Sequence, residues 1–331
     1  MHRVQAILLR RPKLLLLTSL LGALGFWACS KGMNQYDMDL LTTVGINVIL
    51  AVSLNLVNGY TGQFSLGHAG FMSVGAYTAA AITLFAGPHL LPAPSSGWCA
   101  PATTALFFCA LMGGGLAAAL AGWLVGMPSL RLKGDYLAIV TLGFGEIIRV
   151  IFRNIDSLGG ALGLNGIPAY TNIFWVFGVA AVCTYAVVAM VHSTYGRGFI
   201  AVRDDEVAAE AMGLNTTHYK IVAFVVGAFF AGMAGGLYGH YTLSIDPKGF
   251  DFMRSIEIVV MVILGGMGNT AGVIAAAVLL TLLPEWLRNF NEYVPNFEQY
   301  RMLFYSLLLI VLMLTRPQGL FTWRRKFKPL F

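Results

Sequence analysis

The sequence predicts an all-α, polytopic membrane helix bundle of about ten membrane segments, with the N-terminus and C-terminus both cytoplasmic. Three observations carry that prediction. Of 331 residues 57% are hydrophobic and only 11% charged, with a mean hydropathy of +0.73; a soluble core of this size cannot hide so much apolar surface. Apolar stretches recur at the roughly 20-residue length that crosses a hydrocarbon layer of about 30 Å. Lys and Arg gather in alternate connecting segments, as membrane topology requires.

The expected spans are 14–30, 38–58, 66–86, 102–127, 136–152, 172–191, 220–243, 256–267, 271–287 and 301–316. The eighth is short and glycine-broken. The first follows Arg10, Arg11 and Lys13 and resembles a signal peptide, with Cys29 inviting a lipoprotein reading. Phe26 and Trp27 are bulky where a cleavage site wants small residues, so an uncleaved span is the better expectation. With the N-terminus inside, 14 of the 21 Lys and Arg residues fall on inner segments, among them Arg131, Lys133, Arg197, Arg203, Lys220 and Arg316. Six fall outside: Lys31, Arg153, Lys248, Arg254, Arg288 and Arg301. The outer segment 88–101 is proline-rich and carries Trp98, an interface anchor. Residues 1–331 form a single transmembrane domain.

Small residues at four-residue spacing mark helix contacts: Gly227, Ala231, Gly235 and Gly239 in one line, Ala228, Gly232 and Gly236 in the next. Lipid offers no hydrophobic drive between helices, so close backbone approach has to supply the contact. Gly113, Gly114, Gly115, Gly122 and Gly126 do the same in the fourth span.

Composition also excludes function classes. The net charge of +6 comes from bases at segment ends, which is no nucleic-acid signal. Cys29, Cys99, Cys109 and Cys183 show no metal spacing. Cys109 and Cys183 read as packing residues, and a Cys29–Cys99 disulfide is the lesser reading. His68, His192, His218 and His240 are scattered, and neither a Ser-His-Asp nor an H-E-x-x-H arrangement occurs, so neither a metal site nor an enzyme is expected. Asp246 and Asp251 are expected to be solvated on an outer loop. There is no G-x-x-x-x-G-K-[ST] loop; if transport here is ATP-driven, the ATPase is a separate polypeptide.

Three features could carry chemistry. The first is the inner loop 196–219 between the sixth and seventh spans, where seven charged residues, six from Arg197 through Glu210 and then Lys220, interrupt an apolar chain. It reads as a short amphipathic helix outside the hydrocarbon, with Asp204 as N-cap, Asp205 and Glu206 at the positive dipole end, and Gly213 as the stop. Val207, Ala208, Ala211 and Met212 share one face, small enough to fit a groove on a partner. The second is a pair of glycine-interrupted stretches, Asn55-Leu-Val-Asn-Gly-Tyr-Thr-Gly-Gln-Phe-Ser-Leu-Gly-His-Ala-Gly70 and Leu264-Gly-Gly-Met-Gly-Asn-Thr-Ala-Gly272. Broken helices at comparable places in two halves point to a substrate path. Asn55, Gln63, Ser65, His68 and a helix start near Gly67 and Gly70 would offer hydrogen bonds to a carboxylate, and Gly265 and Gly266 of the second stretch are candidate path residues with them. Tight turns between spans explain the glycines equally well. The third is Glu146 with Arg149, three apart on one face of the fifth span and expected as an ion pair facing the bundle. A structural pair is the stronger reading, a proton- or ion-coupling site the sharper one.

Ala208-Ala209 followed by Gly213 resembles the EAA loop of ABC importer permeases, with Val207 where that motif has glutamate. The string Ala201-Val-Arg-Asp-Asp-Glu-Val-Ala-Ala-Glu-Ala-Met-Gly-Leu214 is similar to the branched-chain amino-acid (LivM-type) permeases. So are Asn58-Gly-Tyr-Thr-Gly-Gln-Phe-Ser-Leu-Gly-His-Ala-Gly-Phe71, 264–272 and Arg316-Pro-Gln-Gly-Leu-Phe321. The resemblance implies a bacterial inner-membrane importer subunit that pairs with a second, homologous permease and two cytoplasmic ATPase subunits holding ATP and Mg. It implies a periplasmic substrate-binding protein and no cofactor on this chain. It makes 203–213 an ATPase-coupling helix, with Arg203, Asp204, Asp205, Glu206, Ala208, Ala209, Glu210 and Gly213 as its residues. Importers of urea or short amides share most of these motifs. An ion-coupled secondary transporter would need no docking loop.

Overall fold

A computed structural model describes residues 34–90, 101–129, 135–289 and the isolated positions 306–307, 310–311, 315 and 319–320. The first expected span, most of the tenth, Cys29, Cys99, Trp98, Arg131, Lys133 and Arg316 lie outside the described residues. The described chain is α1 Gln35–Asn55, α2 His68–Ala81, α3 Pro101–Ser129, α4 Asp135–Arg153, α5 Ile173–His192, α6 Thr194–Asp204, α7 Glu206–Ala211, α8 Thr216–Thr242, α9 Phe252–Gly265 and α10 Thr270–Asn289. α1 continues as a π turn over Leu56–Tyr60, and α2 as one over Ile82–Ala86.

Among the described residues six helical stretches are long and apolar enough to cross a membrane: Gln35–Tyr60, His68–Ala86, Ala102–Ser129, Ile173–His192, Thr216–Thr242 and Thr270–Leu287. Each coincides with an expected span. The expected fifth span is α4, whose 19 residues include Asp135, Glu146, Arg149 and Arg153 and therefore too many charges to qualify on composition. The eighth is α9, too short at 14 residues.

α8 is the hub. Its two glycine lines both lie against α2 and reach different further neighbours. A methyl on Gly235 would overlap the Met72 carbonyl, and one on Gly75 the Gly232 backbone, so α2 and α8 touch backbone to backbone. Gly232 also faces Gly114 and Ala118 of α3, while Gly227 faces Ser53 and Val57 of α1. The small residues are therefore contact positions, as spacing indicated.

The segments expected inside meet at one end: 61–67, α6 with α7, and 266–269. The segments expected outside meet at the other. There Tyr241 donates to Asp39 and Tyr36 to Glu285. A two-residue antiparallel pair, β1 Leu164–Asn165 with β2 Ser244–Ile245, joins the loops at this end. The all-α expectation did not include it, because two residues carry no strand periodicity. Asp246 and Asp251 are not merely solvated: they accept from the Lys248 and Arg254 N–H groups and cap the turns they begin. Cys183 is buried as expected, but Cys109 is exposed on α3.

Candidate functional site

The loop between α5 and α8 is built from side-chain caps. Ser193 accepts from the Gly196 N–H at 3.2 Å and starts α6. Asp205, not Asp204, caps α7, accepting from the Ala208 N–H at 3.0 Å. Asp204 instead ends α6, because Asp205 is extended, at φ −159°, so the expected helix starts one residue later and a separate helix precedes it. Gly213 stops α7 at φ +83°, its N–H bonded to the Glu210 carbonyl and the Leu214 N–H to that of Ala209, at 2.9 and 3.1 Å. That pair of bonds is a Schellman motif. Asn215 then caps α8. A helix of six residues has little stability of its own; these caps and the bundle hold it.

The faces of α7 divide cleanly. Ala209 is buried against the bundle, whereas Val207, Ala208, Ala211 and Met212 are exposed, Val207 by 67% and Met212 by 83%. The acids on the loop are engaged within the chain. Glu206 pairs with buried Lys220 of α8 at 2.6 Å, and Glu210 accepts from the Thr216 hydroxyl at 2.6 Å. Asp204 accepts from Arg203 at 2.8 Å. α6 is held by Tyr195, whose ring centre lies 4.6 Å from that of Tyr219. Burial, and then Tyr219 beside it, push the Tyr195 phenol above its ordinary value.

The two glycine-interrupted stretches meet beside this loop. Asn55 Oδ1 accepts from the Gly268 N–H at 2.9 Å, Tyr60 and Thr270 share a hydrogen bond at 2.8 Å, and a methyl on Gly59 would overlap the Gly268 nitrogen. Gly266 and Gly268 stand at φ +92° and +80°. Gly265 packs on Val273 across the turn.

Three of the N–H groups near Gly67 are engaged within the chain. Leu66 N–H donates to Thr141 Oγ1, Ala69 N–H to Ser255 Oγ, and Ser65 N–H to Asn58 Oδ1, at 3.1, 3.0 and 3.2 Å. Hydroxyls from distant helices supply two of these acceptors, which one segment's sequence cannot show. Gly67 faces the Thr141 carbonyl and Gly70 the Gly145 Cα, so both admit α4 against α2. His68 is buried, 2.9 Å from Ser53 Oγ. What stays unsatisfied is a row of buried carboxamides: Asn55 Nδ2, Asn58 Nδ2 and both amide atoms of Gln63. Two cavities of about 310 and 390 Å³ flank this turn and share Gly62, Phe64 and Arg203.

Glu146 and Arg149 pair at 2.6 Å with about a third of each side chain exposed, so the pair forms but lies at the rim of the described bundle. Among the described residues no group of three His, Cys, Asp or Glu side chains could hold a metal.

Residues 38–313 match the family described as branched-chain amino acid transport system / permease component. The chain belongs to this family. A relative in it, the high-affinity branched-chain amino acid transport system permease protein LivM of Salmonella typhimurium, is 34% identical over 88% of this chain and 72% of its own length. The permease protein LivH of Escherichia coli is 23% identical over 82% of this chain and 90% of its own. Among solved structures, a chain of PsaBC from Streptococcus pneumoniae in complex with Fab aligns over 86% of this chain and 92% of that one, at 12% identity and a TM-score of 0.41. The permease-family match spans both glycine turns, α4 and the whole α6–α7 loop. Sequence reasoning had missed Asn58, Lys220 and the inward reach of Arg203. Only the Asn58-Gly dipeptide, next to a turn, was a readable signal for any of them.

Proposed function

We propose that this chain is a permease subunit of an ATP-driven importer and forms half of the translocation path for branched-chain or related amino acids. In this reading it works in the bacterial inner membrane with both termini cytoplasmic and about ten membrane segments. It pairs with a second homologous permease, two cytoplasmic ATPases that hold ATP and Mg, and a periplasmic binding protein. The observation that carries the reading is α7. Four exposed, small or apolar residues, Val207, Ala208, Ala211 and Met212, stand on a stub whose remaining side chains are tied to its own bundle. An exposed apolar surface on a rigid stub fits a groove on a soluble partner. Ala209 and Gly213 then set the stub's angle instead of touching the partner. Glu206 and Glu210 transmit its movement to α8.

The two glycine turns form the inner part of the path. Asn55, Gln63, Ser65, Gly67, His68, Gly70, Gly265 and Gly266 shape it, the glycines by admitting close packing and the carboxamides by polarity. Glu146 and Arg149 are a structural pair: each would cost about 2.5–3.5 kcal/mol alone at mid-bilayer.

Co-expression with the ATPases, partner permease and binding protein, followed by hydrolysis assays in proteoliposomes, tests this function. ATPases should co-purify, and leucine on the binding protein should stimulate hydrolysis more than urea does. A subunit that purifies without ATPases and moves solute on an ion gradient contradicts the proposal.

A further inference from the structure

Arg203 sits in the coupling loop, yet its side chain points into its own subunit. A methyl on Gly62 would stand 2.9 Å from Arg203 Cγ, and one on Gly268 3.2 Å from Nη1. Nη1 also reaches to 3.5 Å from the Gly59 carbonyl, while Nε and Nη2 both donate to Asp204 Oδ1 at 3.0 and 2.8 Å. One guanidinium therefore spans both glycine turns and is held from behind by a carboxylate of the loop. Beneath it, Asn55, Asn58 and Gln63 hold amide N–H groups that are buried and unpartnered among the described residues. A partner for a buried amide N–H is worth about 1–3 kcal/mol, so these groups are poised to bind an acceptor that the turn admits. The stretch ends α1 in a π turn, a feature frequent at functional sites, and Gly62 follows at φ +70°. The flanking cavities of about 310 and 390 Å³ leave room on both sides of the Arg203–Gly62 contact.

We propose that Arg203 is a latch on an inner gate formed by residues 55–67 and 266–269. While the guanidinium lies across Gly59, Gly62 and Gly268, the carboxamides of Asn55, Asn58 and Gln63 are sealed. When movement of α7 draws Arg203 out, the turn opens, and those N–H groups meet the carboxylate of the departing amino acid. Arg203 is a positioning residue, acting through the gate. The ligand class rests on the import function proposed above; the latch itself does not.

The test is cysteine labelling of the purified full-length subunit by a water-soluble maleimide, read peptide by peptide. Gln63→Cys should react slowly with Arg203 present, about tenfold faster with Arg203→Ala, and at a rate between with Arg203→Lys, because opening is a local equilibrium. Buried Cys183 reports unfolding and should stay unreactive throughout. Equal Gln63→Cys rates in all three backgrounds overturn the latch. So does a rate with Arg203 present that matches an exposed Phe64→Cys control. If Arg203→Ala also exposes Cys183, the Lys variant decides, and a parental rate there overturns the proposal. In the opened background leucine should slow labelling and leucinamide should not. Accelerated labelling without leucine protection keeps the latch and overturns the carboxylate step.

Discussion

Gly213 shows how a single residue sets the geometry of the proposed contact. At φ +83° a side chain costs about 1–2 kcal/mol, and nothing lies within 4 Å to oppose a methyl sterically. Gly213→Ala is therefore expected to insert normally but lower leucine uptake severalfold by tilting α7, measured in proteoliposomes. Gly213→Pro should abolish uptake, since it removes the N–H that bonds Glu210 and cannot adopt that φ. Lys220 makes the complementary case. Its ammonium is almost wholly buried and its partner Glu206 is about a quarter exposed, at 23%. Glu206→Ala leaves that charge without a counter-ion; the loss is about 1–3 kcal/mol once the exposed side of the pair is discounted. A melting temperature several degrees lower in detergent is expected, and an unchanged one would show that the pair does not hold the loop.

At the scale of elements, the α2–α8 contact leaves no room for side chains at its glycines. Gly75 and Gly235 have backbone where a side chain would go, so Gly235→Leu must drive the helices apart. Such a variant should be recovered aggregated or degraded by size-exclusion of the solubilised subunit, whereas Gly178→Ala on α5, with open space around it, should behave as wild type. The helical elements were readable in the sequence because membrane spans announce themselves by length and apolarity, and the glycine lines by their four-residue spacing. The break between α6 and α7 was not. Asp204 and Asp205 are both good caps; Asp205 takes the role, with Val202 and Ala209 buried on either side of it. The partners of the Leu66 and Ala69 N–H groups were hidden for a related reason: Thr141 and Ser255 come from α4 and α9. Local patterns reveal which backbone groups need partners. They do not reveal which distant hydroxyl supplies them.

For the whole molecule, the glycine turns, the α6–α7 loop and the start of α8 come together at one end of the bundle. A push on α7 would thus have a short route to the proposed path, through Glu206 to Lys220 and through Arg203 to Gly59, Gly62 and Gly268. The account's central claim is that the exposed face of α7 receives that push. Its most direct test is Ala208→Glu, an exposed change that leaves the Asp205 cap, the Glu206–Lys220 pair and the Schellman motif in place. The quantity to measure is leucine imported per ATP hydrolysed by the reconstituted complex, beside the melting temperature of the subunit. The account predicts that the ratio falls by about tenfold, a coupling loss of roughly 1.4 kcal/mol, with the melting temperature unchanged. A wild-type ratio in the stably folded variant would contradict it.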